Sequence, residues 1–264
     1  MKGLQVIPPR FQARVWGSRD LRAWYPERER EAEPVGEAWI SPPDGPVLIK
    51  MLFPAERLSV QVHPDDAYAA EHGLGRGKSE AWYVVAAESG ATLGVGLRPG
   101  AEWSELEAAC RAGRGAGMLD WFPVRAGDVI NVPAGTVHAI GPGVVLCEVQ
   151  QPSDNTFRLD DYGRGRPLHL EQGMAVARPT SGGRVAHGLK LEESGVLLAT
   201  PYFQIARYQT RPGWTLEPDQ ERRWIVNLAG KGPIPRGHLG ELAPGEALTA
   251  ASAGTWLAVR TGKL

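Results

Sequence analysis

The chain has 264 residues, enough to bury a substantial core in one large β unit or two smaller ones without metal or disulfide staples. Its 29 Lys and Arg are balanced by 30 Asp and Glu, a net charge of -1, so no charge excess points to nucleic acid or an anionic membrane, and a small-molecule partner is expected. The two cysteines, Cys110 and Cys147, are far apart and form no CxxC pair, which fits buried thiols in a reducing compartment. The opening "MKGLQVIPPRFQARVWG" has no apolar signal core, and no later run approaches the roughly 20 apolar residues that span a bilayer. A soluble cytoplasmic protein is expected.

The 33 Gly and 22 Pro fall between short apolar runs, a pattern of many short strands. In chain order, "PVLIKMLFPAERLSVQVHP" reads as two strands separated by "PAER". Next, "DDAYAAEHG" reads as a short helix opened by Asp65 and Asp66 and closed by Gly73. "EAWYVVAA" and "ATLGVGL" read as a hairpin-like pair around "ESG", followed by a second helix around Glu102 to Arg111. "GDVINVPAGTVHAIG" and "GVVLCEVQQ" return to β pattern, and the polar, Gly-rich residues 178–189 mark the expected linker. Beyond it, "YFQIARYQT", "RRWIVNLAG" and "TWLAVRTG" are again β-like. The expected division is therefore 1–177, a linker at 178–189, and a small β module at 190–264. So many strands with so few helices argue for a sandwich or barrel over a parallel α/β sheet.

Residues two apart on a strand share a face. Gln61 and His63 in "LSVQVHPDD" thus project together, as do Lys78, Glu80 and Trp82 in "GKSEAWYVV". A buried polar group without a partner costs about 1–3 kcal/mol, and one divalent cation would satisfy several of these at once. Imidazole nitrogen and carboxylate oxygen both suit Zn²⁺, with His138 of "PAGTVHAIG" as a third ligand. In "VVLCEVQQ", Glu148 shares a face with Leu146 and Gln150, which turns Cys147 to the other side. The opposing reading makes each histidine a hydrogen-bonded core residue and "PAG" an ordinary turn.

What weighs against that reading is a spacing pattern. Gly127, Pro133, Gly135 and His138 resemble the second cupin motif, G(x5)PxG(x2)H, and the segment around Gln61 resembles a stretched first motif with Gln in place of its first His. Taken in order, "VWGSRDL", "LSVQVHPDD", "GKSEAWYVV", "PAGTVHAIGPG", "QQPSDNTFRLDDYGR" and "PLHLE" resemble the type I mannose-6-phosphate isomerases, in a short form, across the first two-thirds of the chain. The resemblance implies a mainly β protein with a cupin-type jelly-roll barrel, a smaller degenerate β module and few short helices.

It also implies one Zn²⁺ per chain on Gln61, His63, Glu80 and His138, and an active-site arginine at Arg158. Polar pocket positions fall on Lys50, Ser59, Lys78 and Glu148. The implied reaction interconverts mannose 6-phosphate and fructose 6-phosphate through a cis-enediol. Glu148, Lys78 or a water on the metal would act as base, with Arg158 stabilising charge or holding phosphate. Lys50 and Ser59 would contact phosphate, and Trp16 is the candidate sugar-stacking aromatic, against ordinary core packing. His72, His169 and His187 are not expected to bind metal. Two alternatives remain: a non-catalytic sugar-phosphate-binding cupin, or an isomerase of another sugar phosphate. The sequence is silent on oligomeric state.

Overall fold

Short runs of β-branched and apolar residues between Gly and Pro form strands throughout the computed structural model, which describes residues 4–42, 44–179 and 182–262. The first strands are β1 (Gln5–Ile7), β2 (Arg10–Ser18), β3 (Val35–Trp39) and β4 (Leu48–Leu52). After them come β5 (Val60–Val62), α1 (Asp66–Glu71), β6 (Glu80–Ala87), β7 (Thr92–Leu97), α2 (Leu106–Arg111) and β8 (Leu119–Pro123). The chain continues through β9 (Val129–Val132), β10 (His138–Ile140), β11 (Val144–Gln150), β12 (Phe157–Asp160), α3 (Leu170–Val176) and β13 (Gly183–Arg184). The last strands are β14 (Gly195–Ala199), β15 (Phe203–Thr210), β16 (Thr215–Leu216), β17 (Arg223–Ala229), β18 (Leu239–Leu242), β19 (Leu248–Thr249) and β20 (Gly254–Thr261). The protein is mainly β, as expected. Among the described residues no helix is long and apolar enough to cross a membrane.

Two compact units form, one of Met1–Leu52 with Val185–Leu264 and one of Phe53–Arg184. This grouping differs from the sequential division expected at 177 and 190. β1 pairs with β18, setting Gln5, Val6 and Ile7 opposite Glu241, Gly240 and Leu239, so the N-terminus completes the C-terminal sheet. The expected linker is also partly strand: Gly183 and Arg184 pair with Asn131 and Ile130 of β9. Residues 180 and 181 of that linker lie outside the described residues.

The Phe53–Arg184 unit has two antiparallel sheets, one ordered β12-β5-β10-β7-β8 and one containing the run β13-β9-β6-β11. Val60 and Val62 enter an apolar cluster with Leu106, Ala109 and Cys110 of α2, Ala139 of β10 and Val176 of α3. Helices therefore cover one face of the first sheet, and period-2 alternation turns Gln61 and His138 to the other. The expected β6–β7 hairpin does not form: β6 pairs with β9 and β11, whereas β7 pairs with β8 and β10. Likewise β4 pairs with β3, and β5 with β10 and β12. Consecutive strands pass from sheet to sheet, a long-range pairing that local alternation does not specify. The helix α3, which begins at Leu170 within "PLHLE", was not expected.

In the other unit, a sheet ordered β1-β18-β17-β20-β15-β14 and the pair β16-β19 enclose Leu216, Ile225, Ile234, Leu242, Leu248 and Trp256. The same unit holds β2 and β4 on either side of β3.

Asp65 caps α1, its carboxylate accepting from the Tyr68 N–H at 2.8 Å, which is the role expected for this residue. The returning chain lies close against that helix start, where only glycine fits. A Cβ on Gly77 would stand 2.5 Å from the backbone C of Asp65 and the backbone N of Asp66. Gly77→Ala is therefore expected to lower the unfolding free energy by about 1–3 kcal/mol in urea melts. An unchanged midpoint would show that this approach is not constrained.

Candidate metal centre

Register brings the polar residues of the Phe53–Arg184 unit together. Gln61 of β5 lies opposite His138 of β10 on one side and Arg158 of β12 on the other. Directly opposed residues share a face of the sheet, so all three side chains leave from the same surface. On the facing sheet Glu80 and Trp82 of β6 lie opposite Gln150 and Glu148 of β11. His63, just past the end of β5, is held by its own carbonyl, which accepts from the Gly135 N–H at 2.9 Å.

The ligating atoms of His63, Glu80 and His138 lie within 4.8 Å of one another, and all three residues are buried. His63 Nε2 is 3.2 Å from Glu80 Oε2, and His138 Nε2 is 3.4 Å from Glu80 Oε1. The Nδ1 atoms point outward, each 2.9 Å from a carbonyl, of Asn155 and Thr136 respectively. A carbonyl can only accept, so each Nδ1 carries the proton and each Nε2 turns a lone pair towards the carboxylate. Burial, with Lys78 beside it, pushes His63 down to about 3. Burial also lowers His138. For Glu80, burial acts to raise the carboxyl, but the Lys78 ammonium beside it outweighs that and holds the group well below the usual range.

Two lone pairs thus face a carboxylate whose oxygens accept no well-oriented hydrogen bond. That arrangement calls for a cation. Ligands held at about 2.0–2.1 Å around an ion stand about 3.3 Å apart, close to the separation of each histidine nitrogen from its nearer Glu80 oxygen. His nitrogen with carboxylate oxygen suits Zn²⁺ and several other divalent ions. Among the described residues this is the one convergent His, Cys, Asp and Glu group.

The remaining predicted residues take varied positions. Lys78 Nζ is 2.9 Å from Glu80 Oε2 and 3.0 Å from His63 Nε2. Gln61 presents its amide nitrogen to His138 Nε2 at 3.2 Å, while its oxygen accepts from the Ser59 hydroxyl at 3.2 Å. Ligation through that oxygen would require the amide to turn over. Glu148 Oε1 accepts from Trp82 Nε1 at 3.0 Å, and the Trp82 ring is 5.4 Å from that of His138. Cys147 faces away, and its buried thiol is raised by burial.

Arg158 pairs with neither Asp160 nor Asp161 among the described residues. Its NH1 donates to the Pro167 carbonyl at 2.7 Å, its Nε is buried without a hydrogen bond, and burial together with Arg166 lowers its pKa. Asp161 instead pairs with Arg166 and Arg164, and Asp160 accepts from the backbone of Gly115 and Tyr162. Lys50 and Trp16 belong to the other unit. Lys50 Nζ lies 4.8 Å from the Trp39 ring centre, and the Trp16 ring is buried, with Gly36 leaving room for it. His169 accepts from the Arg158 N–H at 3.1 Å, and His72 is exposed and stacked on Tyr68.

Sequence reasoning missed the supports behind the ligands. Asn155 fixes His63 by its carbonyl and ties down Leu74 and Arg76 through its amide, at 2.9 and 3.0 Å. Gln151 bridges Asp66 to the Ser79 N–H. Both residues stand in "QQPSDN", whose polarity immediately after a buried strand was the available signal.

Facing β-sheets of a cupin-type barrel, with a buried His-Glu-His cluster between them, define the class. Within it, the chain is 38% identical over 201 residues to mannose-6-phosphate isomerase of Streptococcus mutans, covering 73% of this chain and 63% of that protein. It is 33% identical over 203 residues to mannose-6-phosphate isomerase ManA of Bacillus subtilis, covering 73% and 64%. The chain thus covers less than two thirds of the length of these curated relatives. No protein-family model matches it.

In fold it resembles the crystal structure of mannose 6-phosphate isomerase from Bacillus subtilis, with a TM-score of 0.81 over 97% of this chain and 98% of that one at 23% identity. A mutant phosphomannose isomerase from Salmonella typhimurium gives a TM-score of 0.79 over 99% and 100% at 15% identity. The chain is thus similar in sequence to mannose-6-phosphate isomerases and shares their fold.

The buried histidines make stability depend on pH. An unfolded histidine takes up its proton near 6.5, whereas His63 resists protonation down to about 3. Between those values the unfolded chain binds more protons, so stability present above pH 6.5 is lost as pH falls, by up to about 1.4 kcal/mol per pH unit for each such histidine. His138 acts in the same direction, and the lowered Glu80 adds its loss below about 4.5. The urea midpoint of metal-free protein should fall steadily from pH 7 to pH 4, with a flatter slope in His63→Asn. Equal slopes would contradict this assignment.

Proposed function

We propose that this chain is a Zn²⁺-dependent aldose-ketose isomerase that interconverts mannose 6-phosphate and fructose 6-phosphate through a cis-enediol. The observation that carries the reading is the convergence of two imidazole lone pairs on the buried Glu80 carboxylate, with Lys78 against it and Gln61 and Arg158 on the same sheet face as His138. The names of the relatives support the substrate pair.

His63, Glu80 and His138 would hold the ion, with Gln61 as a fourth ligand once its amide turns over. When bound, the metal would supply a positive charge beside the sugar oxygens and lower the cost of the enediolate. The chain's own residues have the remaining tasks. A proton must leave C2 of the aldose and reach C1. Lys78 and Glu148 are the side chains proposed to move it, and Trp82 orients Glu148 by fixing one of its oxygens. Arg158 remains a cation at any working pH. Its buried Nε has no protein partner, and it is proposed to pair with enediolate or phosphate oxygen.

Ser59, already joined to Gln61, is proposed as a phosphate contact. One ion per chain is proposed from the single cluster. The free, buried thiols of Cys110 and Cys147 support a reducing, cytoplasmic setting.

The test combines metal analysis with turnover of mannose 6-phosphate. We expect about one divalent ion per chain, activity lost to chelator and restored by Zn²⁺, and a fall in kcat of about 10²- to 10³-fold in Arg158→Ala. Turnover indifferent to chelator would overturn the metal role. Tight sugar-phosphate binding without turnover would make the protein a binder.

A further inference from the structure

Lys78 occupies a position where a second cation is expected. Its Nζ is buried, 2.9 Å from Glu80 Oε2 and 3.0 Å from His63 Nε2, and so faces two of the atoms offered to a metal. The backbone delivers it there firmly: the Lys78 N–H donates to the Pro64 carbonyl at 2.9 Å, and Gly77 lets the segment lie against the start of α1. We infer that the Lys78 ammonium is the resident cation of the metal-free site, and that a divalent ion must displace it from His63 and Glu80.

The inference rests on the metal-site reading above. Without Lys78, the metal-free Glu80 carboxylate would be a buried charge facing two lone pairs, an arrangement that burial penalises heavily. With a divalent ion on His63 and Glu80, an ammonium left against the same two atoms would be strongly repelled, because like charges a few ångströms apart are poorly screened in a buried site. The two cations are mutually exclusive at that point. Lys78 therefore weakens metal binding while it protects the metal-free fold, and its amine becomes available to a sugar phosphate only after the metal has entered. That sets an order of assembly: metal first, substrate second.

The test uses the full chain stripped with chelator, titrated with Zn²⁺ by calorimetry at pH 8, as wild type, Lys78→Met and Lys78→Gln, with urea melts of each before and after metal. Both variants should bind Zn²⁺ at least about tenfold more tightly than wild type. Their metal-free forms should melt at lower urea, and Zn²⁺ should raise their midpoints more than it raises that of wild type. Folded variants that bind Zn²⁺ no tighter than wild type would overturn the inference and leave the metal site standing.

Failure of wild type and variants to bind Zn²⁺, Co²⁺ or Mn²⁺ would overturn the metal-site reading, and this inference with it. A measurement on wild type alone covers the case in which the variants do not fold. Acylation of the Lys78 amine, followed by mass spectrometry, should accelerate when Zn²⁺ is added. An unchanged or slower rate would count against displacement.

Discussion

A carboxylate removed from water needs positive charge close by, and Glu80 imposes that need on the Phe53–Arg184 unit. Lys78 meets it directly, and the two histidines turn their unprotonated nitrogens inward to complete a site for a cation. Such a cluster is costly in isolation and tolerable only when every member is held. The surrounding structure does the holding. Carbonyls of Asn155 and Thr136 set the two rings, and Gln151, Asp66 and Ser79 tie α1 to the segment that carries Lys78.

The fold supplies the geometry through alternation. Val60 and Val62 pack beneath α2 and α3 while Gln61 turns inward, and Ala139 does the same beside His138. A one-residue slip of β5 would send Gln61 into the apolar layer and two valines into the site. Packing on the outer face therefore protects the chemistry on the inner one. The other unit takes a different course. Tyr208, Trp214 and Trp256 pack against its aliphatic interior, and Arg207 is buried with its Nε donating to the Glu193 carbonyl. Among its described residues no His and carboxylate cluster forms.

Similarity to the mannose-6-phosphate isomerases and the cluster itself bear on different questions. The relatives are named for a sugar-phosphate reaction. The cluster bears on why that chemistry would need these residues: an enediolate requires fixed positive charge, and Arg158 and a cation on His63, Glu80 and His138 are the proposed sources of it. The unmatched Arg158 Nε is part of the same logic, since Asp161, the carboxylate that could have neutralised it, is occupied by Arg166 and Arg164.

Much of the site was legible along the chain, because side-chain direction on a strand follows from covalent geometry with a period of two. That rule alone grouped Gln61 with His63 and Lys78 with Glu80 and Trp82, set Cys147 apart from Glu148, and assigned Asp65 to a helix start. It could not say which strand lies beside which. The β6 and β7 runs looked like a hairpin and lie in different sheets, and β1 joins β18 from the far end of the sequence. The carbonyls that aim the two imidazoles and the orientation of the Gln61 amide were likewise invisible. Strand partners, tautomers and amide orientation depend on contacts between residues distant in sequence, and those contacts exist only once the sheets have formed.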